Sequence, residues 1–62
     1  MKRDEIMAVI NGLAKSQGFY SRMAMTLGVM QTEDPAGYDR IMSELEAQNF
    51  KDSVDLVIYL ET

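Results

Sequence analysis

Apolar residues recur at helical spacing in several short stretches, and breakers separate those stretches. This pattern constrains the chain more than any other feature. Ile6, Ile10 and Leu13 fall at i, i+4 and i+7, with Met7, Val9 and Ala14 beside them. Such a stripe repeats every 3.6 residues and marks an amphipathic helix. It predicts a first helix over about Arg3–Ser16, with Asp4 and Glu5 in its first turn and Lys15 in its last, as the helix dipole favours. Asn11-Gly12 is a hairpin signal only between alternating strands. Here the stripe runs through the pair in helical phase, so the helix continues across it.

Ser16-Gln17-Gly18 forms the first break. A left-handed Gly18 would close the first helix and let Phe19 fold back on Leu13 or Ala14. A second helix is expected over Phe19–Leu27, with Phe19, Met23 and Leu27 as its stripe and Gly28 as its terminator. Gln31 to Asp34 reads as a polar loop. Asp34-Pro35 is a clear helix start: the carboxylate caps free N–H groups, and a proline there sacrifices no hydrogen bond. The third helix is expected from Pro35 to about Gln48, with Tyr38, Ile41, Met42 and Leu45 on one face. Asn49 takes the left-handed cap and returns Phe50 to Leu45. Asp52 and Asp55, three apart, are placed as a capping box for a fourth helix over Ser53–Leu60. Its β-branched and aromatic residues make a strand the rival. The expected fold is therefore an all-α compact bundle of three to four short helices in a single domain, residues 1–62.

A chain of 62 residues buries only about 60% of its unfolded surface, so its core is marginal. Cys and His are both absent, which removes a disulfide staple, a Cys/His zinc site, a His-activated nucleophile and a histidine pH switch. Phosphate-loop, dinucleotide and zinc-protease motifs do not occur. The loop around Gly37 has Thr32 and Ser43 where a calcium loop needs acids. No cofactor, metal or small-molecule substrate is expected, and the chain does not read as an enzyme. No apolar run approaches the roughly 18 residues of a membrane span, nor does a signal peptide open the chain, so the expected compartment is the cytoplasm.

Charge is unevenly placed. The net charge is −4. Residues 1–30 set Lys2, Arg3, Lys15 and Arg22 against Asp4 and Glu5, a balance of +2. Residues 31–62 set Arg40 and Lys51 against eight acids, a balance of −6. Overall acidity disfavours non-specific nucleic-acid binding.

Three functional expectations follow. The leading one is a protein-interaction module that binds itself or another protein through its C-terminal helix. Between Val54 and Leu60 only Asp55 is polar, and three short helices cannot cover such a segment on every side. If Val54, Val57 and Ile58 face the core, Leu56, Tyr59 and Leu60 form the interface, with Met25 as a second contact. In the second, Ala14, Gly18 and Phe19 are spaced like the small residue, turn glycine and apolar residue of a DNA-binding motif, with Ala24 and Leu27 at inward positions. Leu13 to Leu27 thus resembles the helix-turn-helix of small repressors. That resemblance implies that Tyr20, Ser21, Arg22 and Thr26 contact nucleic acid. In the third, the acidic half, with Asp39, Glu44 and Glu46, imitates a nucleic-acid backbone towards a basic protein.

Overall fold

The structure, a computed structural model, describes all 62 residues. It is an all-α bundle: α1 (Arg3–Ser16), a 3₁₀ turn (Gly18–Tyr20), α2 (Ser21–Glu33), α3 (Pro35–Ala47) and α4 (Ser53–Glu61). No strand is present, so the C-terminal segment takes the helical alternative. Helix α1 packs against the 3₁₀ turn, α2 and α4, and α2 packs against α3. No helix is long and apolar enough to cross a membrane.

The core holds six side chains: Ile6 and Ile10 from α1, Leu27 from α2, Met42 from α3, Phe50 from the α3–α4 loop and Leu56 from α4. Helix α1 runs unbroken through Asn11-Gly12. Gly12 sits in an exposed, ordinary helical turn with open space where a Cβ would go.

The ends follow the sequence where side chains specify them. Asp34 closes α2 and opens α3 at once. Its N–H donates to the Met30 carbonyl at 2.9 Å, and its carboxylate accepts from the Gly37 N–H at 3.1 Å. Asn49 adopts the left-handed conformation, φ 54°, and Phe50 turns into the core behind it. Asp52 caps α4 by accepting from the Asp55 N–H at 3.1 Å. Asp55 reaches one residue further back than a capping box requires and accepts from the Lys51 N–H.

Three expectations need correction. Gly18 has no positive φ; an extended Gln17 ends α1 instead, and Gly18 opens the 3₁₀ turn. Phe19 does not fold back on α1 but stands 74% exposed. The reason is pitch. A 3₁₀ turn has about 3.0 residues per turn rather than 3.6, and in it Tyr20 takes the inward place while Phe19 stays outside, on the same side as Met23. Helix α2 also does not stop at Gly28. It runs on to Glu33 because Met30 continues the Met23–Leu27 stripe one turn further and packs on the core. That packing offsets the roughly 1 kcal/mol helix penalty of glycine. Residues expected as a polar loop are the last turn of α2.

Helix α3 is tied to α1 by a polar clasp. The Arg3 guanidinium donates to Asp39 at 2.5 Å, Glu46 at 2.6 Å and Ser43 at 2.8 Å. The Glu46 and Asp39 hydrogen bonds raise its pKa further above an already high value. Arg3→Ala should lower the thermal unfolding midpoint more than Arg22→Ala, which removes no such contact. Equal midpoints would show that the clasp adds nothing.

The glycines make an opposed pair. Gly12→Ala should stabilise by about 0.5–1 kcal/mol. At Gly37 a Cβ would meet the Asp34 carboxylate and come within 2.9 Å of the Met30 methyl. Gly37→Ala should therefore destabilise by roughly 1–3 kcal/mol despite alanine's better helix propensity. Urea unfolding of both variants checks the opposite signs.

Candidate functional site: an apolar groove beside α2

A groove of about 530 Å³ opens between α2, α3 and the end of α4. The buried core residues Ile10 and Leu27 lie at its base. Met23 and Met30 line it from α2, Ile41 and Leu45 from α3, and Leu60 from α4. Exposed Phe19, Arg22 and Thr26 complete the lining. Arg22 and Thr26 are its only polar members, and no carboxylate, lysine or tyrosine hydroxyl reaches it. Nowhere in the chain do three acidic side chains converge closely enough to hold a metal ion.

The expected interface residues are dispersed rather than gathered. Leu56 is completely buried and cannot meet a partner. Leu60 is half-buried in the groove lining. Tyr59 stays partly exposed, its ring edge-on to Phe50 at 5.3 Å. Met25 is exposed on α2 and does not line the groove. Helix α4 is thus rotated relative to expectation: Leu56 and Leu60 turn inward, while Val54 and Ile58 face solvent. Both stripes have helical spacing, so periodicity alone does not choose between them. The choice comes from outside the helix, where left-handed Asn49 and buried Phe50 set the angle at which α4 starts.

The expected nucleic-acid contacts also divide. Tyr20 is buried, 3% exposed. Its hydroxyl donates a long 3.5 Å hydrogen bond to Glu61, and its ring lies 4.4 Å from that of Phe19. The Ser21 hydroxyl is turned back to the Ala14 carbonyl at 3.3 Å. Only Arg22 and Thr26 remain exposed, and both line the groove. On the acidic half, Asp39 and Glu46 are taken up by Arg3, and Glu44 is exposed.

Phe19, Met23, Met30, Ile41 and Leu45 are lining residues that sequence reasoning missed; it assigned Phe19 and Met23 to the second helix's core stripe and Ile41 and Leu45 to that of the third. For Phe19 the available signal was the break before it, which changes the pitch there. No family model matches the chain, and neither a curated protein nor a solved structure does.

Burial, and then the nearby Glu61 carboxylate, raise the Tyr20 pKa. A raised folded-state pKa means that the folded form holds its proton longer than the unfolded chain does. The resulting stability is complete below about pH 10, the unfolded value, and is lost as pH rises through the folded value. The unfolding midpoint should therefore fall as pH climbs above about 10, and fall less steeply in Tyr20→Phe. An identical slope in the variant would remove Tyr20 from the account.

Proposed function

We propose that this chain is a non-enzymatic protein-interaction domain whose binding surface is the groove beside α2, with Phe19 as its leading contact. The observation that carries this reading is a phenylalanine 74% exposed beside an apolar groove that reaches the core. Burying a phenylalanine fully is worth about 1.5–3 kcal/mol. A domain with so small a core forgoes that energy unless another surface supplies the burial. The composition of the groove supports binding over chemistry. Its single charged member is an arginine, and it offers no group able to take up or release a proton near neutral pH.

The interface therefore moves from the outer side of α4 to α2, and of the α4 residues first considered it keeps Leu60. A DNA-reading α2 would rest on Arg22 alone among cations, with Tyr20 buried and Ser21 engaged. The acidic mimic would have to work with two of its three carboxylates already paired.

Position-specific cross-linking in cells tests the proposal. A photoreactive residue at Phe19 or Met23 should yield discrete cross-linked protein species. The same residue at exposed Asn11 on α1 should yield none. Equal yields at all three positions, or none at Phe19 and Met23, would overturn the reading.

A further inference from the structure

Helix α2 is almost bare of charge. Between Lys15 and Glu33 the only charged residue is Arg22. Phe19, Met23, Met25 and Val29 are all exposed in this stretch. Helices α1 and α3, by contrast, carry Arg3, Asp4, Glu5 and Lys15, and Asp39, Arg40, Glu44 and Glu46. An exposed surface that holds Phe, Met and Arg and no Lys, Asp or Glu has the composition of an interface centre.

The two charges near the ends of α2 are placed against the helix. Arg22 lies in the first turn of α2, and Glu33 is its last residue. Each faces the unfavourable end of the helix dipole. Neither is paired, because Arg3 makes the only ion pairs of the chain. They are eleven residues apart. That is about three turns, or about 16 Å along one face. A positive charge at one end, a negative charge at the other and Met25, Thr26 and Val29 exposed between them form a self-complementary strip. It matches a copy of itself turned end for end.

We infer that α2 pairs antiparallel with α2 of a second copy across a two-fold axis, so that Arg22 of each chain meets Glu33 of the other. This rests on the reading of α2 and the groove beside it as an interface, extends that interface from Arg22 and Thr26 to Met25 and Val29, and names a second copy as its occupant. The charge placement that α2 alone disfavours becomes favourable in the pair. Each charge gains an opposite partner, and the two dipoles run in opposite directions. The axis passes near Thr26 and Val29, and a two-fold axis repeats every contact, as an isologous interface requires. A standard interface takes about 800 Å² from each partner, roughly a fifth of the 4283 Å² surface of this chain. One helix face supplies less than that. The dimer therefore belongs to the small, reversible class.

Light scattering and sedimentation across a hundredfold concentration range test the pairing. The wild-type mass should move from one chain towards two. Arg22→Glu and Glu33→Arg should each weaken the dimer about tenfold, since the two-fold axis makes every change count twice. The double variant should regain most of that loss. All variants change exposed residues, and circular dichroism should show unchanged helix. Independently, Thr26→Cys in this Cys-free chain should cross-link to itself under oxidised glutathione faster than Asn11→Cys does. A monomer at every concentration would overturn the self-pairing, and if cross-links from Phe19 to another protein persisted, the interaction reading would survive it. A dimer indifferent to charge reversal, or one that the double variant does not rescue, would overturn the antiparallel register.

Discussion

Six buried side chains, five from the four helices and one from the α3–α4 loop, set the terms for everything else in this molecule. Ile6 and Ile10 make α1 the centre, and Met42, Phe50 and Leu56 bring α3, the α3–α4 loop and α4 to it. Helix α2 contributes only Leu27 to that core. Nearly half the chain is apolar, far more than six positions can absorb. Nine partly buried apolar residues, from the N-terminus and all four helices, pack around those six. The large apolar side chains left exposed are not spread evenly: they lie in the 3₁₀ turn, along α2 and on the outer side of α4.

Polar contacts finish what the core leaves undone. On α3, Tyr38, Met42 and Leu45 form the apolar stripe. Asp39, Ser43 and Glu46 form a second stripe one residue further round. Arg3 reaches along the whole of this second stripe. Helix α3 is therefore held by carbon on one side and by charge on the other. The clasp also neutralises part of the acidic half, so the charge seen in the sequence overstates the charge free to meet a partner.

The sequence makes a feature legible where one residue carries the cause. Asp34-Pro35, Asn49 and Asp52 each specify an end by their own chemistry, and each end lies where it was read. The helical class was legible from spacing, and so was the continuity of α1 through Gly12. Features with causes elsewhere were not legible. The rotation of α4 depends on how Phe50 enters the core, and its two stripes are equally good helices on paper. The exposure of Phe19 depends on a short change of pitch that no spacing rule registers. The end of α2 was misread because Gly28 announces a stop that the packing of Met30 overrides. Of the residues singled out for a site, Arg22, Thr26 and Leu60 line the groove, Met25 is exposed outside it, and Leu56 and Tyr20 are buried. The groove itself arises from several helices at once, which no single stretch of sequence displays.

The joint between α2 and α3 is a single residue, since Asp34 ends one helix and caps the next. The two helices draw on different parts of it: α2 closes on its backbone N–H, and α3 opens on its side-chain carboxylate. A residue at this corner with no side-chain acceptor would still close α2 and would leave the Gly37 N–H of α3 without its cap.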